Sequence, residues 1–184
     1  MGGGFLDLFF RGAFAPRPRP VAPAAPRVVR GCRPPGAIAE AEFLERCTRC
    51  AACVPVCPGG TIKLAGIEAP FAEGTPFLPD LAKRPCFMCD DMPCIRACPE
   101  GALVPLPRED VRLGLAFIDP ARCKAHGDQA CDDCLERCPF PGVALFADEQ
   151  GHPVVNPEAC TGCGFCAYHC TATPGAIAIV QPAP

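Results

Sequence analysis

The 184-residue chain contains no serine and no tryptophan, and Tyr168 is its only tyrosine. It has no serine nucleophile, no glycine-rich phosphate loop and no dinucleotide-binding fingerprint, which leaves no recognisable catalytic set of those kinds. Long apolar runs are also missing. The patch from Phe5 to Phe14 is too short to span a bilayer, although Phe5, Leu6, Leu8, Phe9 and Phe10 would suit a short anchor on a partner or a membrane surface. No Arg-Arg pair occurs and no apolar stretch follows the early arginines, so no twin-arginine export signal is legible. In their place the chain carries 25 prolines, 18 glycines and 17 cysteines, the composition of a loop-rich fold with short strands and short helices.

Sixteen of the cysteines form four groups of four, each closing with C-x3-C. The first is Cys47, Cys50, Cys53 and Cys57, followed by Pro58, which is the bacterial ferredoxin run with its closing proline. The second, Cys86, Cys89, Cys94 and Cys98, and the third, Cys123, Cys131, Cys134 and Cys138, are lengthened variants that keep that proline at Pro99 and Pro139. The fourth, Cys160, Cys163, Cys166 and Cys170, has the regular spacing but carries Thr171 where the proline would stand. Three thiolates from one tight loop can cover three corners of a cubane, and the fourth cysteine begins a helical turn that points away toward a second cluster. The sixteen cysteines therefore read as iron ligands of four [4Fe-4S] clusters, and the protein as one that moves electrons.

Two rivals compete for the same residues. A disulfide framework suits a short secreted chain, but C-x2-C repeated at the heart of four groups is too close for ordinary bridges. Zinc knuckles also use C-x2-C pairs, yet they need two pairs per site and have no use for the recurring C-x3-C-P ending.

Because the last cysteine of each motif serves a partner motif, motifs come in pairs. The regular first and fourth motifs (residues 47–57 and 160–170) suggest an outer pair, with the irregular second and third (86–98 and 123–138) nested inside it. Nesting would group Cys47, Cys50 and Cys53 with Cys170, and Cys160, Cys163 and Cys166 with Cys57. It would likewise group Cys86, Cys89 and Cys94 with Cys138, and Cys123, Cys131 and Cys134 with Cys98. Sequential pairing, first with second and third with fourth, is the alternative.

Four motifs between residues 47 and 170 leave little room for a separate apolar core, so metal binding should supply much of the folding free energy. The formal charge is -3. It reaches about -11 if four oxidised clusters with their thiolates add about -2 each. That disfavours nucleic acid and favours a basic face on a redox protein partner. Residues 1–33 hold six arginines against Asp7 alone, and seven prolines lie between residues 16 and 35. They read as a flexible tail, with residues 34–184 as the cluster domain. The fold class expected is α+β: two ferredoxin-like dicluster modules, with a helix from Ile38 to Arg46 leading into Cys47. Short strands are expected after each motif, at Thr61–Leu64, Gly101–Val104, Gly142–Phe146 and Ala176–Val180, with incoming partners at Leu115–Asp119 and His152–Asn156.

The lead Arg33-Pro34-Pro35-Gly36-Ala37, the helix carrying Phe43-Leu44 into Cys47, and the four motifs in this order with their long x4 and x7 spacings resemble the NapG/MauM ferredoxin-type proteins over residues 33–180. More loosely the chain is similar to NapF and to four-cluster subunits of molybdopterin oxidoreductases. The resemblance implies four [4Fe-4S] clusters on the sixteen cysteines, no substrate site, and electron transfer with a quinol-oxidising membrane partner as one donor. NapG passes electrons toward periplasmic nitrate reductase, and MauM belongs to methylamine utilisation. Those relatives are exported with a twin-arginine signal. Without one, the expected location is the cytoplasm or the cytoplasmic face of the membrane, with the periplasm as the alternative. A role in assembling or delivering clusters to a partner enzyme is the second functional reading.

Outside the motifs Cys32 reads as a free thiol. His126, inside the third motif, is a candidate ligand but more simply a solvated loop residue, and His169 could hydrogen-bond a cluster sulfur or merely pack. Phe87, Phe140 and Phe165 lie where they would shield clusters from water.

Overall fold

The computed structural model describes residues 27–127 and 129–181, and most of the expected N-terminal tail lies outside them. Regular elements are short, as the proline and glycine content dictates: α1 (Glu40–Arg46), β1 (Lys63–Leu64), β2 (Pro76–Phe77), α2 (Pro93–Arg96), β3 (Leu115–Ile118), α3 (Asp133–Glu136), β4 (Leu145–Ala147), β5 (Pro153–Val155), α4 (Phe165–Tyr168) and β6 (Ile177–Val180). Helix α1 begins with Glu40 and Glu42 and ends with Arg46, charges that complement its dipole, and it buries Phe43 completely.

The chain is built twice on one plan. In the second half β3 enters before the third motif and pairs antiparallel with β6, which leaves after the fourth, while β4 and β5 form a hairpin between the two motifs. In the first half Ala37, entering before the first motif, bridges Leu103, which leaves after the second. The β1–β2 pair lies between those motifs, as β4–β5 does in the second half. Each half thus closes around two consecutive motifs.

Residues 27–33, expected within the flexible tail, are instead ordered across both halves. Val28 bridges Val180 and the Val29 N–H donates to Ile179 O at 2.9 Å, while Cys32 and Leu78 exchange backbone bonds of 3.1 and 2.8 Å. Unsatisfied strand edges on each half take up this segment, which an arginine- and proline-rich composition could not reveal. Arg33 closes it. Its guanidinium lies 4.3 Å from the ring of Phe43 and 4.4 Å from that of Phe71, and donates to Glu40, Thr75 Oγ1 and Pro76 O.

One contiguous core joins the halves. It contains Phe43, Ile62, Leu78, Met88, Val111 and Ile179 together with five buried cysteines, Cys53, Cys94, Cys134, Cys163 and Cys166. The apolar interior and the cysteines thus occupy the same space, as the small number of residues between motifs requires.

Candidate metal centres

The cysteine loops are wound so that their sulfurs turn inward. Arg49, Ala51 and Met88 adopt left-handed backbone in the first two motifs, and Gly162 and Gly164 do so in the fourth. A non-glycine residue in that conformation costs about 1 kcal/mol, so the strain at Arg49, Ala51 and Met88 marks loops shaped for something other than their own stability. This winding also aims backbone N–H groups at sulfur: Met88 at Cys86, Ile95 at Cys94, Phe140 at Cys138 and Phe165 at Cys163.

Three apolar hollows each hold four cysteines. Cys47, Cys50 and Cys53 share one with Cys98, Cys86, Cys89 and Cys94 share one with Cys57, and Cys160, Cys163 and Cys166 share one with Cys138. The remaining four fall together as well, for Cys123, Cys131 and Cys170 are the charge neighbours of Cys134. The nested pairing expected from the regularity of the spacings is therefore incorrect. Cys170 lies with the third motif, Cys57 with the second, Cys138 with the fourth and Cys98 with the first. Spacing within a motif records the length of its loop; the partner is set by which motif the half-fold closes upon, and each half closes on its sequence neighbour.

Burial pushes the thiols up. Cys86 reaches about 12, and Cys53, Cys94, Cys134 and Cys163 about 11, with neighbouring cysteines adding to desolvation in each case. Thiolates here therefore need a cation to stabilise them. Among the described residues no three His, Cys, Asp or Glu side chains converge closely enough to hold a single metal ion. Tetrahedral zinc needs four ligands about 2.0–2.3 Å from one point.

Cys32 stands apart. It lines a separate groove with Arg33 and Pro34, and burial pushes its thiol up to about 12, so it is a packed and unreactive side chain. His126 stacks on His152 at 4.4 Å, and His169 packs against Phe165 and Tyr168. Phe87 and Phe140 each line a hollow, and Phe140 also carries the guanidinium of Arg108 at 4.8 Å. The sequence reading missed the Thr171–Asp133–Lys124 cluster beside the third motif; the missing proline after Cys170 was its only signal.

Comparison with known proteins agrees with the two-fold plan. A 4Fe-4S dicluster domain profile matches residues 115–171, spanning the third and fourth motifs together, and a 4Fe-4S binding domain profile matches residues 43–63. The methylamine utilization ferredoxin-type protein MauM of Methylobacillus flagellatus is 41% identical over 159 residues, covering 80% of this chain and 67% of the relative. Ferredoxin-type protein NapG of Escherichia coli is 38% identical over 165 residues, covering 80% and 69%. NapF of the same organism is 30% identical over 142 residues, covering 76% and 80%. No solved structure gives a significant match. With iron-sulfur domains in both halves and such identity over most of its length, the chain belongs to the MauM/NapG family of ferredoxin-type proteins.

Proposed function

We propose that this protein carries electrons through four [4Fe-4S] clusters, one in each cysteine quartet, between a redox protein donor and an acceptor oxidoreductase, with no substrate site of its own. The observation that carries the reading is the grouping of sixteen cysteines into four quartets, each built from three cysteines of one motif and the last of its neighbour. Each hollow fits the group: soft thiolate donors, apolar walls and inward N–H groups that stabilise negative sulfur. When bound, the clusters would supply reversible one-electron chemistry. The protein's own residues exclude water, hold the thiolates and set the potentials through N–H···S bonds and burial.

The names of the relatives suggest the setting, methylamine utilisation for MauM. A quinol-oxidising membrane subunit is the donor we favour. Among the described residues no helix is long and apolar enough to cross a membrane.

Iron and acid-labile sulfide per chain on anaerobically purified protein, with electron paramagnetic resonance during stepwise reduction, test the reading. About sixteen of each with several reduced signals supports it. Zinc in place of iron, or no labile sulfide even after anaerobic reconstitution, overturns it. A second reading, delivery of a cluster to a partner enzyme, draws on the exposure of Cys50 at the rim of the first hollow. Transfer of a cluster to an apo-enzyme would favour it over reversible electron carriage.

A further inference from the structure

The two halves meet at the cysteine loops themselves. The backbone N–H of Cys86 donates to the carbonyl of Cys163 at 2.8 Å, the one backbone hydrogen bond among the described residues that joins two of the sixteen cysteines. Beside it the rings of Phe87 and Phe165 pack with centroids 5.5 Å apart. The approach is possible because residue 164 is glycine: a Cβ there would lie 2.1 Å from the Leu81 carbonyl oxygen, and its φ of +93° suits no other residue well. Within the halves, Cys94 is an electrostatic neighbour of Cys53 and Cys134 of Cys166.

We infer that electrons cross between the two halves at the Cys86–Cys163 contact, so that the quartets form one row in the order Cys47/50/53/98, Cys57/86/89/94, Cys138/160/163/166 and Cys123/131/134/170. This rests on the proposed cluster content. Its consequence is that the ends of the path belong to the first and third motifs, and the fourth motif, last in sequence, is internal. A hydrogen bond between ligand backbones offers a nearly continuous bonded path with no water gap. Electronic coupling falls steeply across empty space, so this contact outweighs longer routes over the surface of the fold. Donor and acceptor would then dock at opposite ends, one over the rim where Cys50 is exposed and the other over the loop carrying Lys124 and Cys131.

The test uses the full chain, loaded anaerobically and fully reduced, where adjacent paramagnetic clusters split one another's resonance lines. Cys131→Ala should perturb only an end of the row, leaving the other three signals coupled to one another. If it instead leaves the first-half signals coupled only to each other and cut off from the fourth-motif signal, the order is wrong. Cys50→Ala, at the opposite end, should leave the signal of the cluster on Cys57, Cys86, Cys89 and Cys94 coupled to the second-half signals. Loss of that coupling would overturn the crossing point. Should either variant fail to load its remaining clusters, the spectrum of the other decides. A wild-type iron and sulfide count far from sixteen would mark failure of the cluster reading itself, whereas full clusters with the wrong coupling pattern would sink only this inference.

Discussion

Thr171 donates its hydroxyl to Asp133 Oδ2 at 2.8 Å and accepts from Lys124 Nζ at 3.0 Å, tying the end of the fourth motif to the third. It occupies the position that is proline in the other three motifs. Asp133 Oδ2 lies 3.7 Å from Cys131 Sγ, so the threonine holds a carboxylate beside a candidate ligand sulfur.

A fixed negative charge there disfavours the reduced form of a cluster on Cys131. Asp133→Asn should raise that cluster's potential by on the order of 50 mV, a screened fraction of the Coulomb energy of two charges about 4 Å apart. Thr171→Val, which frees the carboxylate without neutralising it, should give a smaller shift of the same sign. Potentiometric titration followed by paramagnetic resonance measures both; a fall in potential on Asp133→Asn would contradict the placement.

The pairing of motifs has a direct consequence for single substitutions. Cys98→Ser should perturb the resonance of the cluster held by Cys47, Cys50 and Cys53, and Cys170→Ser that of the cluster held by Cys123, Cys131 and Cys134. Under nesting the affected clusters would be exchanged, so the two spectra distinguish the arrangements without any structure.

Arg33 is only 10% exposed in its side chain and makes planar contacts on two rings as well as four hydrogen bonds. Lysine cannot reproduce a stacked, forked guanidinium, so Arg33→Lys should destabilise the loaded protein by roughly 2 kcal/mol. Its partner Glu40 is held below the usual carboxylate range by the Arg33 hydrogen bond. Because the folded value is lowered, that stabilisation is present above the unfolded value near 4.3 and is lost as pH falls through the folded one. Glu40 is half exposed and screened, so Glu40→Gln should cost only a few tenths of a kcal/mol at pH 7. Denaturant midpoints at pH 7 and pH 3 check both statements.

Proton release should accompany loading. Before any metal binds, the thiols of Cys53, Cys86, Cys94, Cys134 and Cys163 are held neutral by burial, with values raised to about 11 or 12. Iron takes thiolates, so reconstitution at pH 7 should liberate close to one proton per ligated cysteine beyond those that the added sulfide itself loses, and uptake should weaken as pH falls. Any metal-free folded form has the opposite dependence. Its raised thiol values mean that stability is intact below the unfolded thiol value near 8.5 and is lost progressively as pH rises toward 11 to 12. Circular dichroism of the metal-free chain between pH 7 and 11 measures the loss.

Much of this protein is written locally. The sixteen cysteines, the helix that delivers Cys47 and three of the four strands expected after the motifs follow from spacing, propensity and turn residues, because each depends on neighbours within a few positions; Gly101–Val104 forms no strand and keeps only the isolated bridge of Leu103 to Ala37. Strand β6 lies at Ile177–Val180 inside the expected apolar segment, and β3 likewise at Leu115–Ile118. Three matters were decided only by tertiary structure. Which motif receives each closing cysteine depended on how a half-fold closes, since the helical turn after the third cysteine points outward without naming its target. The ordering of residues 27–33 came from distant partners, Val180, Leu78 and Phe71, that their own arginine-rich composition does not encode. The contact of Cys86 with Cys163 needed two loops 77 residues apart to meet over Gly164. Local chemistry fixed what each loop can bind; long-range packing fixed which loops stand next to one another.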